Sequence, residues 1–257
     1  MNDLISALIL AVVQGLTEWI PVSSSGHLVL AERILGYQGG LVFDVALHFG
    51  TLMAVFVYFG KDITDILQDF FRGKWKSENG KLGLYLIVAT IPAVILGIFL
   101  KEIYNNVLSN LGMLALGFGI TGLFLFIASI DFHRKGELGF GNSFIIGLAQ
   151  ALALLPGISR SGSTISTGLL LGLNEKQAMK FSFLMVIPIV FGVNILEIGN
   201  NTLPSELIWA TLVAFIVGLI MIHLLYSKIL TSKKNLRWFG AYALLLALGI
   251  GVYLVFW

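Results

Sequence analysis

Residues 4–35 read LISALILAVVQGLTEWIPVSSSGHLVLAERIL, and residues 144–173 read FIIGLAQALALLPGISRSGSTISTGLLLGL. Each opens on a short apolar stretch, Leu4–Leu16 and Phe144–Leu155, and both fall short of the ~20 helical residues that cross a bilayer. Each then meets Pro, Ser and Gly and resumes as a second short apolar segment, Leu28–Leu35 and Ile165–Leu173. The pattern predicts a helix, a break at membrane depth and a returning helix, twice over. Backbone broken at that depth is tolerated only when it is buried in protein or faces a watery cavity. The two stretches also match in register. Gln14 pairs with Gln150, Leu16 with Leu152, Ser23-Ser24-Ser25-Gly26 with Ser159-Arg160-Ser161-Gly162 and Gly36 with Gly172, at a constant offset of 136 residues. Apolar matches mean little in so apolar a chain, but Gln and Ser-x-Ser-Gly in register predict an internal repeat.

The remaining sequence sets the solvent. Of 257 residues, 57% are hydrophobic and 12% charged, against about 25% charged in a soluble domain, and the mean hydropathy is +0.92. Too few polar residues remain to coat a water-facing core, so the solvent is lipid. Six stretches, about 40–59, 82–100, 111–130, 178–198, 207–226 and 238–257, are long enough to span a bilayer and lack strand-like alternation, which excludes a β-barrel. The fold class expected is an all-α membrane protein with six transmembrane helices and two re-entrant helical hairpins. It forms one integral membrane domain over 1–257, built from repeat 1 (about 1–130) and repeat 2 (about 137–257). Three spans separate the two hairpins, so the second enters from the opposite face and the repeat is inverted; such repeats place their site where the broken helices meet.

Orientation follows from the basic residues. Loop 60–81 carries Lys61, Arg72, Lys74, Lys76 and Lys81, and loop 227–237 carries Lys228, Lys233, Lys234 and Arg237, whereas 199–206 carries none and 101–110 only Lys101. The first two loops are therefore expected on the cytoplasmic side, the first hairpin and the C-terminus on the outer side. The start Met1-Asn2-Asp3 lacks the basic segment of a cleaved leader. A net charge of +2 without a basic, aromatic-interleaved run argues against nucleic acid. The absence of cysteine excludes thiolate chemistry, so any metal must take oxygen or imidazole ligands.

An ionisable residue inside a bilayer costs about 2.5–3.5 kcal/mol on insertion scales, which makes it a functional candidate. Here such residues cluster at the two breaks. Gln14 and Glu18 share a helix face, followed by Ser23, Ser24, Ser25 and His27; the second break supplies Ser159, Arg160, Ser161, Ser163 and Thr164. Arg160 offers a planar fork of donors suited to phosphate. Ser/Gly turns opening onto helix N-termini add backbone N–H groups for the same anion. Glu18 would repel phosphate unless it is protonated, acts as a base or holds a hard divalent cation such as Mg²⁺ or Ca²⁺. Asp44 and His48 could pair with each other or support the site from behind, while Glu197, His133 and His223 read as ordinary helix-end residues.

The stretch Gln14-Gly15-Leu16-Thr17-Glu18-Trp19-Ile20-Pro21-Val22-Ser23-Ser24-Ser25-Gly26-His27 resembles the first signature of the undecaprenyl pyrophosphate phosphatases associated with bacitracin resistance. Pro156-Gly157-Ile158-Ser159-Arg160-Ser161-Gly162-Ser163-Thr164 resembles the second. The resemblance implies a cell-membrane hydrolase that removes the terminal phosphate of a polyprenyl diphosphate lipid, regenerating the monophosphate carrier for cell-wall polymers. It also implies dependence on a divalent cation, Mg²⁺ or Ca²⁺, and a site on the outer side. By this resemblance Glu18 has the acid/base or metal role, Ser24 and His27 are nucleophile and support, and Arg160 with Ser159 and Thr164 grips phosphate. Gln14, Ser23, Ser25 and Ser161 complete the substrate site. Spacing alone does not rank Ser23, Ser24 and Ser25, and the residues leave three routes open: attack by a serine hydroxyl, by His27 or by a metal-activated water. Some members carry Glu at position 14, and Gln14 puts a two-carboxylate metal site in doubt. No motif resembles those of the phosphatidic acid phosphatases. The competing class is a transporter or lipid flippase, since inverted repeats with broken helices also build transporters; a structural scaffold would leave the polar residues unused. A second copy of the chain, as a homodimer, is the one protein partner considered.

Overall fold

A computed structural model describes residues 3–37, 39–100, 110–198 and 205–256, with side chains described outside 193–206. The expected outer loops 101–110 and 199–206 therefore fall almost wholly outside it, as do Lys101, Met1 and the Glu197 side chain. The described residues are helical, with no strand. In chain order the helices are α1 (Asp3–Thr17), α2 (Ser24–Leu35), α3 (Gly40–Tyr58), α4 (Gly60–Phe71), α5 (Glu78–Leu100), α6 (Leu111–Ser129), α7 (Phe140–Leu152), α8 (Arg160–Leu170), α9 (Glu175–Leu184), α10 (Val186–Ile198), α11 (Ser205–Leu224) and α12 (Leu236–Phe256). A π turn over Leu225–Ile229 extends α11.

Among the described residues five helices are long and apolar enough to cross a membrane: Gly40–Tyr58, Glu78–Leu100, Leu111–Ser129, Leu207–Ile229 and Lys233–Phe256. The sixth expected stretch, 178–198, is instead covered by α9 and α10, which meet at Met185. The polar face of α9 begins at an Asn174–Gln177 capping box, and Lys180 pairs with Asp62 of α4 at 2.6 Å. The basic loop 60–81 holds a helix that hydropathy hid: α4 turns Ile63 and Ile66 inward and leaves Lys61 and Thr64 outside.

The packing is crossed. Helices α1 and α3 lie against α11, α7 lies against α5, α10 lies against α3, and α6 runs along α12. Small residues permit the close approaches, as in many helix pairs in lipid. A Cβ at Gly50 would strike the Thr211 carbonyl of α11, and one at Gly147 the Ala89 carbonyl of α5. The interior is filled by side chains such as Trp19, Phe118, Phe181 and Phe183, while Ile98, Leu245, Leu248 and Val255 point outward. That inside-out distribution of large apolar side chains matches a chain solvated by lipid. It brings the two breaks, residues 18–23 and 153–159, together in the middle of the bundle.

Candidate active site

Both breaks end at a serine that caps the next helix. Ser23 Oγ accepts from Gly26 N at 3.4 Å, and Ser159 Oγ accepts from Gly162 N at 3.0 Å. Each capping hydroxyl also stands beside the one two residues on, Ser25 at 3.4 Å and Ser161 at 3.3 Å. The capping satisfies helix-end N–H groups that have no partner within their own helix. The two turns differ in one respect. Ser159 has an ordinary extended backbone, with φ −74°. Ser23 has φ 69° and ψ 94°, a conformation that costs a non-glycine residue about 1–3 kcal/mol and persists only where the surroundings impose it.

Glu18 stands at the meeting point. It continues α1 by one turn, its N–H bonding Gln14 O at 2.9 Å, and is buried. Its Oε1 accepts from Arg160 Nη2 at 2.7 Å, across 142 residues of sequence. Its Oε2 accepts from Ser24 Oγ at 2.6 Å and from Gln14 Nε2 at 3.0 Å. His48 Nε2 lies 3.6 Å from the same oxygen. A buried carboxylate is tolerable in this setting because each oxygen has donors and one partner is a cation.

Arg160, the first residue of α8, spends one further N–H on the Ser182 carbonyl at 3.1 Å and lies 5.7 Å from the centre of the Trp19 ring. A guanidinium has five N–H donors, so three have no partner among the described residues. Thr164 does not reach Glu18. It bonds the Arg160 carbonyl at 2.8 Å and the Ser182 hydroxyl at 2.6 Å, bracing α8 against α9. Ser161 donates to Ile20 O at 3.2 Å and ties the second turn to the first.

His27 makes no hydrogen bond to the side chain of Ser24 or Glu18. Its Nδ1 lies 2.7 Å from the Ser23 carbonyl and its Nε2 lies 2.8 Å from the Tyr242 hydroxyl, with the Tyr242 ring nearly parallel to it and Phe118 edge-on. Asp44 and His48 do not pair through side chains. His48 Nδ1 bonds the Asp44 backbone carbonyl at 2.8 Å and turns Nε2 to Glu18, and Asp44 Oδ1 is buried without a hydrogen-bond partner among the described residues. His133 sits exposed in a loop beside Asp131, and His223 packs edge-on to Tyr58; both lie outside the Glu18 cluster.

Sequence reasoning missed Ser182, Tyr242 and Thr121. Thr121 accepts the Ser159 N–H at 2.9 Å and donates to Gly157 O at 2.9 Å, holding the second turn. Ser182 had a signal, being the one hydroxyl inside the apolar stretch 178–198. Tyr242 had none, because a tyrosine near the end of a membrane helix reads as an interface residue.

For a divalent cation the donors are few. Among the described residues no group of three His, Cys, Asp or Glu could hold one. The protein oxygens that would hold one are those of Glu18 and Gln14, whose Oε1 is buried without a hydrogen-bond partner among the described residues, and the remaining ligands would have to come from phosphate or water, as is usual for Mg²⁺. The arrangement as a whole can bind an anion on Arg160 and activate a hydroxyl with a carboxylate.

The model of the bacitracin resistance protein BacA family matches residues 7–249. Among curated relatives, "Undecaprenyl-diphosphatase" of Saccharophagus degradans is 40% identical, with 99% of each chain covered. "Undecaprenyl-diphosphatase 1" of Pseudoalteromonas translucida is 38% identical over 98% of this chain and 99% of its own. "Undecaprenyl-diphosphatase" of Methanococcus vannielii is 36% identical over 96% of this chain and 99% of its own. Matches of this length and identity carry both breaks and every helix between them, and the chain belongs to the bacitracin resistance protein BacA family.

Proposed function

We propose that this protein is a polyprenyl-diphosphate phosphatase that converts undecaprenyl diphosphate to undecaprenyl monophosphate and orthophosphate. The family and the names of the relatives give the substrate class. One observation carries the mechanism: of the three hydroxyls in the first turn, Ser24 alone donates to Glu18, at 2.6 Å, while Arg160 from the other hairpin grips the opposite carboxylate oxygen at 2.7 Å. Ser23 is spent on its helix cap and Ser25 on Ser23.

The terminal phosphoryl group docks on the three free N–H donors of Arg160. Ser24 Oγ attacks that phosphorus as its proton passes to Glu18 Oε2. The bond from phosphorus to the bridging oxygen breaks, and the electron pair leaves with the polyprenyl monophosphate. Glu18 hands the serine proton to that leaving phosphate and is a carboxylate again when water attacks the phosphoserine; it takes one proton from the water and returns it to Ser24 Oγ as the bond between Oγ and phosphorus breaks and orthophosphate departs. Phosphate competes with Glu18 for Arg160, so docking frees the carboxylate to act as a base at the moment one is needed. A divalent cation, Mg²⁺ or Ca²⁺, held by Glu18 and Gln14 with the diphosphate, would neutralise charge on the leaving group.

We assign the two hairpins as re-entrant, 178–198 as a sixth and broken span, and residues 1–130 and 137–257 as inverted repeats. The constant offset, the paired serine caps and the crossed packing of α1 on α11 and α7 on α5 support this reading. The basic residues of loops 60–81 and 227–237 support an orientation with the first hairpin and the site toward the outer face. A homodimer stays part of the proposal only as an assembly compatible with the apolar outer surface. The transporter reading is disfavoured because a carrier has no use for a serine held on a buried carboxylate. Orthophosphate release from undecaprenyl diphosphate by purified protein in detergent, with and without chelator, tests the function. Turnover by wild type that Glu18→Gln abolishes supports it, and no release under any metal condition refutes it.

A further inference from the structure

Ser23 is strained where its counterpart Ser159 is not, and what stands against that strain reaches it from the far end of the chain. His27 N donates to the Ser23 carbonyl at 3.2 Å, as Ser163, its counterpart, does to Ser159 at 2.8 Å. Only the first turn adds a side chain to that carbonyl: His27 Nδ1, at 2.7 Å. A carbonyl can only accept, so Nδ1 carries the hydrogen and the neutral ring keeps its lone pair on Nε2. That lone pair faces the Tyr242 hydroxyl at 2.8 Å, which must then donate to it.

We infer that Tyr242 is a positioning residue for Ser24: its hydroxyl fixes His27, His27 Nδ1–H holds the Ser23 carbonyl, and this strap keeps Ser23 in the conformation that aims Ser24 at Glu18. The inference rests on Ser24 being the attacking group. It also changes the part that His27 plays. Both ring nitrogens are engaged, and neither faces Ser24 or Glu18, so His27 is neither base nor nucleophile but a strut. The second turn needs no strap, because Arg160 follows Ser159 there with ordinary backbone and is aimed by its own contacts with Glu18 and Ser182. Helix α12 thus reaches from the second half of the chain into the turn of the first, and Tyr242 is close enough to lipid, being 44% exposed, to keep the strap at the rim of the site.

The test uses full-length protein in detergent with undecaprenyl diphosphate. Tyr242→Phe keeps the ring and removes the hydroxyl; kcat should fall about tenfold, the worth of one neutral hydrogen bond, with KM within about twofold of wild type. His27→Asn can place an amide N–H where Nδ1 stands and has nothing at Nε2. It should therefore fall about as far as Tyr242→Phe, remain well above His27→Ala, and lose nothing more when combined with Tyr242→Phe. A Tyr242→Phe protein with wild-type kcat, or a His27→Asn protein as inactive as His27→Ala, overturns the strap. If wild type releases no phosphate, it is the phosphatase reading that fails. The strap is then judged from ¹⁵N-histidine spectra, where Tyr242→Phe must shift the Nε2 signal that His27→Asn abolishes; an unshifted signal overturns it.

Discussion

Replacing Arg160 with lysine keeps the charge and removes the fork, which separates what the cation does for the fold from what it does for the reaction. In the resting structure Arg160 makes one bond to Glu18 at 2.7 Å and one to the Ser182 carbonyl at 3.1 Å. A lysine ammonium can keep the first and give up the second, at a cost to stability of about 0.5–1.5 kcal/mol. Catalysis loses more. The three free guanidinium donors that would share the phosphoryl oxygens become one point charge, and losing a preorganised donor of that kind costs about 2–3 kcal/mol in transition-state stabilisation. At ~1.36 kcal/mol per tenfold, kcat/KM should drop about 30- to 160-fold. Arg160→Ala is a different perturbation, since it strands Glu18 as a buried unpaired charge and should cost about 3–5 kcal/mol of stability. Phosphate release from undecaprenyl diphosphate and thermal melts of both variants provide the assay. Near-wild-type kcat/KM in a folded Arg160→Lys protein, or equal stability losses for Lys and Ala, would refute the reasoning.

Two further outcomes follow from the same geometry. Ser23→Gly should melt above Ser23→Ala by about 1 kcal/mol, because both lose the cap but only glycine takes φ 69° without strain; at Ser159, with φ −74°, Gly should have no such advantage. The chain has no cysteine, so Ile34→Cys, at a side chain 84% exposed near the end of α2, needs no background removal. It should react with an impermeant thiol reagent in intact cells, and reaction only after lysis would reverse the orientation.

Much of this architecture was legible because membrane constraints are local. A helix long enough to span, or too short to, is visible in composition, and so is a Ser/Gly break that lipid would not tolerate. Gln14, Ser23, Gly26 and their partners 136 residues on could be matched by eye. The Glu18–Arg160 contact was not foreseen, because the sequence pointed Arg160 at phosphate and Glu18 at a proton or a cation, although two opposite ions in one apolar interior have few other ways to be satisfied. What stayed hidden is long-range. The partner of His27 lies 215 residues away, and no pattern distinguishes Tyr242 from its neighbours on α12. The amphipathic helix α4 was masked by its charges, and the break at Met185 interrupts a stretch whose hydropathy runs on unbroken. His48 was ambiguous for a related reason: its spacing from Asp44 suggested a pair, whereas its ring bonds the Asp44 backbone and turns to Glu18.

The central claim is that Ser24 attacks phosphorus. Wild-type protein and the Ser24→Ala, Ser23→Ala and Ser25→Ala variants can be mixed with undecaprenyl diphosphate radiolabelled at the terminal phosphate, quenched within one turnover in denaturing detergent at neutral pH, where phosphoserine and phosphohistidine both survive, and digested for identification of the labelled residue. The account predicts label on Ser24 in wild type, Ser23→Ala and Ser25→Ala, and neither label nor turnover above background in Ser24→Ala. Label on His27, or a full turnover of orthophosphate from Ser24→Ala, would contradict it.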